Sequence, residues 1–385
     1  QASLTVDKLY ELKDCPGFAE TFLVEGKPPA EGTVMKQAAL ADTLEHLARS
    51  GFQDAYRGDI ARELARDLEE MGSPVSRDDL QAYYAVERAP LSLGHSLGTL
   101  YNMPPPTQGL ASLMILGIVD RLEALHGPAR PETGAFVHRI VEATKRAFLV
   151  RDRFVTDFDR LDGDPLAYLA QAALQREAEQ IDMHRALPWP HKPVPGDTIW
   201  MGAADAEGRV VSYIQSIYWE FGSGCVSKST GFLMQNRGSS FALDPKALNP
   251  LEPGRRPFHT LNPAMAQLTD GRVFAYGTMG GEGQPQTQAQ LFERHVRHGM
   301  PLEEALDAPR WLLGRTWGSS VTSLRFENRF DDSLLRELDR IGHQTAVLDE
   351  AYSDTMGHAG GVTLHPDMSL SGAHDPRADG GAAGL

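Results

Sequence analysis

The sequence predicts an α+β protein in which β-sheets are sandwiched between helical layers. The first half of the chain has apolar residues at helical spacing, and a proline-rich segment at 188–195 ends that pattern. Strand-like alternation dominates the stretch that follows, and helical spacing returns near the end of the chain. Helices, then a block of strands, then helices again are typical of sheets that are covered by helices.

The helices of the first half are identified by their periodicity and by the residues at their ends. Segments 35–51 and 55–72 repeat leucine or isoleucine every three or four residues, and each ends at a glycine. The stretch 76–84 opens with Ser76 and has Asp79 three residues later, which is typical of a helix N-terminus. Further helices are predicted from Leu110 onward and at 132–152, 165–182, 286–298, 301–307 and 331–342.

The strands are predicted where apolar and polar residues alternate between turn residues. The turn AEG at 206–208 separates one pair of strands, and TDG at 269–271 separates another. A last strand pair is predicted at 345–349 and 360–364. A strand-like turn region is predicted at LSLGHSLGTLYNMPPPTQG (91–109), whose triple proline forces an extended segment. The other predicted strands are TIWMGAAD (198–205), RVVSYIQSIYW (209–219), GFLMQN (231–236) and the two halves of AMAQLTDGRVFAYGTMGG (264–281).

Composition and charge exclude several classes of function. The chain has 385 residues, of which 41% are hydrophobic and 23% charged, as in globular proteins that can bury a sizeable core. Its formal charge of −15 is spread without a basic block, so neither nucleic acid nor a membrane is expected as a partner. The two cysteines, Cys15 and Cys225, are far apart in sequence and are expected to be reduced core thiols.

Metal and nucleotide chemistry are not indicated. The 13 histidines include no HExxH pair, and His295 and His298 have no partner ligands nearby in the sequence. We therefore expect no metal and no organic cofactor. The glycine-rich GTMGGEG at 277–283 lacks both the lysine of a phosphate loop and the Rossmann spacing. No GxSxG elbow occurs, and neither cysteine has the local signature of a nucleophile.

Thr198 is the remaining candidate for a nucleophile. It follows the proline-rich segment and begins a predicted strand. Cleavage of the Asp197–Thr198 bond would make Thr198 a chain start, and its α-amine could then act as the base for its own hydroxyl. An α-amine has a pKa of about 7.7–8.0, so a useful fraction is unprotonated at neutral pH. The alternative is an ordinary strand residue, since threonine is common in strands.

Nine stretches, in the order of the chain, resemble the γ-glutamyltransferase (γ-glutamyl transpeptidase) family of N-terminal-nucleophile hydrolases. They are PGFAETFL (16–23), QAALADTLEHLARSG (37–51), YNMPPPTQG (101–109), DTIWMGAADAEGRVVSYIQS (197–216), FGSGCV (221–226), RRPFHTLNPAM (255–265), GTMGGEGQPQTQ (277–288), DAPRW (307–311) and AHDPRADGGAAG (373–384). The resemblance covers essentially the whole chain. The stretches QSIYWEFGSG (215–224) and QNRGSSF (235–241) resemble the oxamate amidohydrolase branch of that family.

The resemblance implies a four-layer αββα sandwich made by one self-cleaving precursor. A large-subunit portion, 1–197, and a small-subunit portion, 198–385, would together form one domain. The family's large chain begins before the point that matches Gln1, so we expect the N-terminal part of the domain to be missing from this chain. The resemblance leaves a dimer of such heterodimers open, and the sequence leaves the compartment open.

The resemblance also assigns the catalytic residues, position by position. Thr198 matches the nucleophile, and Asp197–Thr198 matches the processed bond. Ser216 matches a second hydroxyl that hydrogen-bonds to the nucleophile. Gly280 and Gly281 match the paired glycines whose backbone N–H groups form the oxyanion hole, a role that requires close approach of the backbone to the reacting carbonyl. Without the resemblance, the two glycines are a turn and Ser216 is a strand hydroxyl.

The substrate-binding positions depart from those of family members that act on glutathione. Those members hold the α-ammonium and α-carboxylate with an Asn, a Gln–x–x–Asp pair and two serines. The matching residues here are Tyr218, Arg237 with Ser240, and His259 with Thr260. Without the Asp, a buried substrate ammonium lacks an anionic partner. The planar guanidinium of Arg237 instead suits a carboxylate, to which His259 could add a donor.

The expected substrate is therefore a small amide that bears a carboxylate but no glutamyl amino group, such as oxamate. Three alternatives stay open: a γ-glutamyltransferase or glutathione hydrolase with a different pocket, a cephalosporin-type acylase, and an uncleaved relative without catalytic activity. For single residues, Arg237 could instead form a surface salt bridge, and His259 could be a structural histidine.

Overall fold

The structure is a computed structural model that describes residues 2–189, 197–314 and 322–384. The chain divides into two compact units, Gln1–Glu87 with Ile217–Arg237 and Arg88–Ser216 with Gly238–Leu385. The α-helices of the described residues are α1 (Ala2–Leu12), α2 (Phe18–Phe22), α3 (Ala38–Ser50), α4 (Asp54–Arg57), α5 (Asp59–Glu70), α6 (Arg77–Ala82), α7 (Gly109–His126), α8 (Gly134–Phe154), α9 (Leu166–Leu169), α10 (Gln171–Glu179), α11 (Gln284–Phe292), α12 (Leu302–Asp307) and α13 (Asp332–Arg340). The strands are β1 (Leu91–His95), β2 (Gly98–Asn102), β3 (Asp197–Ala204), β4 (Val210–Tyr218), β5 (Ala264–Leu268), β6 (Val273–Thr278), β7 (Trp311–Leu313), β8 (Leu324–Phe326), β9 (Thr345–Val347), β10 (Ala359–Leu364) and β11 (Leu370–His374).

The first unit is mainly helical, and its predicted helices are present with one interruption. The helix predicted at 55–72 is split at Gly58 into α4 and α5. The carboxylate of Asp54, the first residue of α4, accepts a hydrogen bond from the Ile60 N–H at 2.9 Å and so caps the start of α5. At the start of α6, Ser76 and Asp79 form the reciprocal bonds of a capping box, as the sequence predicted.

The segment 217–237 joins these helices through a buried carboxylate. Asp67 of α5 accepts hydrogen bonds from the Ser227 hydroxyl at 2.6 Å and from the Ser229 N–H at 2.7 Å. These bonds hold the pKa of Asp67 below its usual value although burial opposes that shift. The carboxylate therefore stays charged and joins the two parts of this unit.

The second unit contains a six-stranded antiparallel sheet in the order β1–β2–β5–β6–β10–β11. Successive residues of a strand point to opposite faces. Tyr276 of β6 points toward α11, where its ring lies 5.9 Å from that of Phe292. The next residue, Gly277, lies under the side chain of Trp200 from β3. Helices therefore cover one face of the sheet, and the β3–β4 hairpin lies on the other.

Helices α7, α8 and α11 form the layer on the first face. Helix α7 packs on β1 and β2, and α11 packs on β6 and α7. The sequence of α7, GLASLMILGIVDRLEALH, is buried along nearly its whole circumference from Gly109 to Leu122, as expected for a helix covered on all sides. The α+β prediction, with helices on a sheet and a second sheet beneath, is confirmed for this unit.

Two stretches of the family pattern are joined here by a buried ion-pair network. The carboxylate of Asp375 lies 2.5 Å from the guanidinium of Arg310 and 3.0 Å from that of Arg377. Arg377 also pairs with Glu327 at 2.6 Å. All four side chains are almost fully buried, so each charge depends on its partners. The conformations of DAPRW and AHDPRADGG are therefore coupled.

Several predicted elements are wrong. The predicted strand at 231–236 is irregular and forms only an isolated bridge between Val226 and Leu233. The strands near 345–349 and 360–364 do not pair with each other, because β9 lies parallel to β8 while β10 lies between β6 and β11. The short strands β7 and β8 and the strand β11 were not predicted.

The two cysteines of the chain are free thiols. Cys15 and Cys225 are half-buried in the first unit rather than placed in the core. The pKa of Cys15 is raised by burial and by the neighbouring Cys225. Among the described residues, no helix has the length and apolar character needed to cross a bilayer. The division at 197–198 into large and small portions stays a prediction.

Candidate active site

Thr198 lies near the start of a hairpin whose two faces differ in exposure. At the turn between β3 and β4, the Asp205 N–H donates to the Arg209 carbonyl at 3.1 Å. Exposure alternates along both strands, and Thr198 and Ser216 share the less exposed face with Trp200. Continuing the register of the turn along the hairpin would place Ser216 opposite Thr198. The predicted linker before Thr198 lies largely outside the described residues.

The indole of Trp200 fixes β3 on the six-stranded sheet two residues after Thr198. A Cβ added to Gly277 would lie 2.1 Å from the indole Cδ1, and one added to Gly360 would lie 2.7 Å from Cζ3. The indole N–H donates to the Ser212 hydroxyl at 2.9 Å. Both glycines are therefore needed for close packing of the ring, and this packing determines where the nucleophile candidate lies.

Gln284, a residue that the sequence analysis did not select, contacts the candidate nucleophile. It begins α11 and is fully buried. Its Nε2 donates to Thr198 Oγ1 at 3.3 Å. Its Oε1 has no hydrogen-bond partner among the described residues, although buried amide oxygens almost always have one. An acceptor thus lies on the same amide group as the donor that bonds to Thr198.

Gly280 and Gly281 form a turn that requires glycine. Their φ angles are 114° and 52°, a region that other residues enter only with strain. Neither backbone N–H donates to a residue within 2–189, 197–314 or 322–384. Two adjacent donors without partners, held by an uncommon backbone conformation, are what an oxyanion hole needs. The assignment of that role remains a prediction.

Arg237 is a buried cation without a counter-ion in the described structure. Its guanidinium lies 4.2 Å from the centre of the Tyr218 ring, and the side chains of both residues belong to the first unit. Burial lowers the pKa of Arg237 to about 10, and no carboxylate offsets that effect, so the group is still charged at neutral pH. Neither Nη1 nor Nη2 has a hydrogen-bond partner among the described residues.

The backbone of Tyr218 has a strained conformation of the kind found at binding sites. Tyr218 ends β4 with a φ of 85°, which is an outlier for a bulky residue. Strain of this kind persists where surrounding structure holds it, and it is concentrated at binding and catalytic sites. The salt bridge considered for Arg237 is absent from the described residues, and the role of Arg237 in substrate binding stays a prediction.

The other predicted binding residues lie in the second unit. The hydroxyls of Ser240 and Thr260 are buried and have no hydrogen-bond partner in the described ranges. The His259 N–H donates to the Pro106 carbonyl at 3.1 Å, and His259 forms a bridge with Thr107. His259 therefore has a structural role for its backbone, and a ligand role for its side chain stays a prediction.

The structure links part of the predicted set. Gln284 contacts Thr198, and Gln108 bonds to the carbonyls of Thr260 and Gly281. Tyr218 and Arg237 contact each other. The bonds of Gln108 and Gln284 join residues that are 86 to 173 positions apart, so periodicity alone could not have found them. Both glutamines do fall inside stretches that carried the family resemblance.

A second polar cluster, which the sequence did not predict, lies in the second unit. The ligand atoms of His138, Glu142 and His343 lie within 4.8 Å of one another. These donors are already engaged, because His138 Nδ1 lies 2.8 Å from His343 Nε2 and the Lys145 ammonium bonds to Glu142 at 2.6 Å. Burial and the charge of Lys145 lower the pKa of His343 to about 3, so this position disfavours added positive charge.

Comparisons with known proteins agree with this architecture. The gamma-glutamyltranspeptidase family model matches residues 1–385. The oxamate amidohydrolase proenzyme of Klebsiella pneumoniae is 52% identical over 384 residues, which cover 100% of this chain and 72% of that relative. The glutathione hydrolase-like YwrD proenzyme of Bacillus subtilis is 38% identical over 376 residues, which cover 97% of this chain and 70% of that relative.

A solved structure gives the same result for the fold. Cephalosporin acylase from Bacillus halodurans superimposes with a TM-score of 0.86 at 30% identity, covering 98% of this chain and 68% of that chain. The α+β fold of the N-terminal-nucleophile hydrolases and an enzymatic role, both expected from the resemblance, are thereby confirmed. The names of the relatives as proenzymes agree with a precursor that is processed into two portions. The chain belongs to the γ-glutamyltranspeptidase family.

Proposed function

We propose that this chain belongs to a self-processing amidohydrolase that uses an N-terminal threonine to cleave the amide of a small carboxylate-bearing substrate, such as oxamate. The observation that carries the proposal is the buried guanidinium of Arg237, which lacks a partner among the described residues. A buried unpaired cation is costly, and a substrate carboxylate would supply both its charge and two parallel acceptors. The 52% identity to an oxamate amidohydrolase proenzyme supports the same substrate class.

The proposed reaction starts with cleavage of the Asp197–Thr198 bond, which gives Thr198 a terminal α-amine. The unprotonated amine takes the hydroxyl proton as Oγ attacks the amide carbon of the substrate. The N–H groups of Gly280 and Gly281 hydrogen-bond to the oxyanion that forms. The amide nitrogen takes up the proton and leaves as ammonia. Water then hydrolyses the ester on Oγ, which releases the acid and restores the hydroxyl.

Two neighbours would assist the nucleophile. Gln284 donates to Thr198 Oγ1 at 3.3 Å, which would orient the hydroxyl and stabilise the negative charge that develops on it. Its Oε1, which has no hydrogen-bond partner in the part of the chain that the structure describes, would accept from the terminal amine that cleavage would create. Ser216, at the corresponding place on β4, is the proposed second hydroxyl. The amide group of Gln284 would then donate to the hydroxyl oxygen of Thr198 and accept from its terminal amine.

The binding residues favour a substrate without an ammonium group. Arg237 would take the carboxylate, and the ring of Tyr218 would keep the guanidinium in place. The hydroxyls of Ser240 and Thr260 and the imidazole of His259 would meet the neutral polar atoms. None of these five side chains is acidic, so a γ-glutamyl ammonium would lack an anionic partner among them.

The names of the relatives favour two alternative activities, and an uncleaved relative without activity is a third alternative. The Bacillus subtilis relative is named glutathione hydrolase-like, which favours γ-glutamyl amides as a second candidate. The acylase from Bacillus halodurans shares the fold, so a larger acyl group is a further candidate. An uncleaved relative without activity would retain the fold and lack the terminal amine.

Processing is tested on the protein expressed from its complete reading frame. We expect wild type to give two bands on a denaturing gel, with the smaller one starting Thr-Ile-Trp, and Thr198→Ala to give a single band. Thr99→Ala, at a strand threonine in β2, is the matched control and should be cut as wild type is. One uncut wild-type band would contradict the proposal and favour the non-catalytic relative.

Substrate class is tested by comparing ammonia release from oxamate with release from a γ-glutamyl anilide. Turnover of oxamate with little turnover of the anilide is the expected result, because Arg237 has a charge complement only in the carboxylate. Release from the anilide with none from oxamate would reverse the ranking of the two candidates.

A further inference from the structure

Gln108 connects two parts of the candidate site. It lies in the stretch PPPTQG, directly before α7, and its side chain is fully buried. Its Nε2 donates to the Gly281 carbonyl at 2.7 Å and to the Thr260 carbonyl at 3.0 Å. Both donors of one amide group therefore bond to segments that the sequence analysis assigned to substrate binding or to the oxyanion hole.

Arg151 of α8 fixes which way this amide points. Its Nη1 donates to Gln108 Oε1 at 3.2 Å, so the amide oxygen faces a cation and the NH₂ group faces the two carbonyls. Arg151 is buried, stacks 4.0 Å from the ring of Phe148, and pairs at 3.2 Å with Glu282, the residue after Gly281. The pKa of Arg151 is raised by its carboxylate partners despite burial, so the group stays charged.

The glycine turn needs such an external support. Two consecutive glycines have more backbone freedom than any other pair of residues, and the φ angles of Gly280 and Gly281 are both positive. The hydrogen bond from Gln108 holds the Gly281 carbonyl, and the Arg151–Glu282 pair holds the residue that follows. These contacts hold the peptide that follows Gly281, and the Gly283 N–H donates to the Gly280 carbonyl at 2.8 Å, which holds the peptide that carries the Gly281 N–H. The turn is therefore held on both sides of Gly281 before substrate binds, which is the condition for effective oxyanion stabilisation.

We infer that Gln108 is a positioning residue that sets the geometry of the Gly280–Gly281 oxyanion turn, and that Arg151 orients its amide. This inference rests on the proposed function, since it requires an oxyanion at those N–H groups. It adds a residue that acts without touching the reacting atoms. Its loss should therefore affect the chemical step more than substrate binding.

The test compares Gln108→Met with Gln290→Met. Gln290, also fully buried, lies at the other end of α11 and donates to the Trp311 carbonyl at 2.9 Å, so its variant removes a similar bond away from the glycine turn. We expect Gln108→Met to lower kcat about 10- to 100-fold while KM changes less than about threefold. Gln290→Met should keep kcat within about twofold, although both variants should lower Tm. Equal kcat losses in the two variants, or none in Gln108→Met, would overturn the inference.

Gln108→Glu gives a second readout that a purely structural role would not produce. Its carboxylate keeps an acceptor for Arg151 and places a second acceptor against the carbonyls of Gly281 and Thr260. Protonation restores a donor, so relative to wild type its kcat should recover as the pH is lowered. A ratio of variant to wild-type kcat that is constant with pH would contradict the inference.

The two proposals fail in distinguishable ways. A wild-type protein that is uncut, or inactive on both oxamate and the γ-glutamyl anilide, overturns the proposed function and this inference with it. If wild type turns over only the anilide, the same comparison of kcat is made with that substrate. Wild-type kinetics in Gln108→Met would overturn the inference alone.

Discussion

At the scale of single residues, Arg237 brings stability and function into opposition. Burial removes the water that would solvate the guanidinium, and the described structure gives it no carboxylate in return. At a purely structural position an unpaired buried charge would be unfavourable, and buried charges at such positions are therefore paired. Arg310 provides that contrast within the chain, since it is buried even more completely and pairs with Asp375 at 2.5 Å.

We predict that Arg237→Met removes activity without lowering stability. Losing the partner of the substrate carboxylate should reduce kcat/KM for oxamate about 100-fold or more, mainly through KM. The free energy of unfolding should stay the same or rise slightly, because a buried unpaired charge is removed. Activity assays and urea unfolding measure the two effects.

Arg310→Met is the control for this prediction. It should lower the free energy of unfolding by about 3–5 kcal/mol, because Asp375 would be left as a buried charge with one partner fewer. If Arg237→Met were destabilising to the same degree, Arg237 would have a structural partner and the carboxylate assignment would fail.

The residues that could be predicted from sequence are those whose chemistry is local. Thr198 could be named as a candidate because a strand threonine after a proline-rich segment suits an N-terminal nucleophile. Gly280 and Gly281 could be named only through the family resemblance, and the roles of all three residues stay predictions. Gln108 and Gln284 look like ordinary polar residues in sequence. Their roles come from hydrogen bonds to residues 173 and 86 positions away, which only the tertiary fold creates.

At the scale of elements, the position of β3 depends on a close contact between one aromatic ring and two glycines. Trp200 occupies the space where side chains of residues 277 and 360 would otherwise lie. This contact sets the height of the hairpin above the six-stranded sheet, and Thr198 lies only two residues before the ring. The packing of Trp200 and the position of the candidate nucleophile are therefore coupled through a single strand.

We predict that Gly277→Ala destabilises the protein and slows processing. The new Cβ would come within 2.1 Å of the indole, so the ring or the strand must shift. Overpacking of this kind costs about 1–3 kcal/mol of unfolding free energy. The displacement should also slow formation of the two fragments, followed on a denaturing gel over time.

Gly94→Ala is the matched control in the same sheet. Gly94 lies in β1, and a Cβ there would meet no atom within 4 Å. Its unfolding free energy should change by less than about 0.5 kcal/mol. Equal effects of the two substitutions would mean that the indole does not determine the position of β3.

The elements that were predicted correctly are those with a long periodic pattern or a clear cap, such as α3, α6 and α7. The errors occur where tertiary contacts decide. The apolar run at 231–236 resembles a strand, yet neighbouring serines bond to the Asp67 carboxylate and the run finds no ladder partner beyond one bridge. The strands β7 and β8 are only three residues long, too short for alternation to be recognised.

At the scale of the whole molecule, stability should depend on pH through buried neutral histidines. His343 lies against His138 and near Lys145 and Glu142, and burial together with the Lys145 charge lowers its pKa to about 3. Burial also lowers the pKa of His138. In the unfolded chain both imidazoles would titrate near about 6.5. At His343 the unfolded state therefore binds more protons than the folded state between about pH 3 and about pH 6.5.

The sign of the effect follows from that difference. Where the unfolded state binds more protons, the free energy of unfolding falls as the pH is lowered. For His343 the loss begins near pH 6.5 and continues toward pH 3, at up to about 1.4 kcal/mol per pH unit. The contribution is fully present above the unfolded pKa, so the protein should be more resistant to urea at pH 8 than at pH 5.

We predict that His343→Gln is less stable than wild type at pH 8 yet loses less stability on acidification. The substitution weakens the contact with His138 but removes one group that must take up a proton on unfolding. The slope of the unfolding free energy against pH between pH 6.5 and 4.5 should therefore decrease by the equivalent of up to one bound proton. Urea unfolding at a series of pH values measures that slope. His184→Gln, at an exposed histidine in the same unit, should leave it unchanged. Equal slopes for wild type and His343→Gln would mean that the imidazole of His343 is already protonated in the folded state. The cluster would then tolerate a positive charge at this position, which would contradict the lowered pKa.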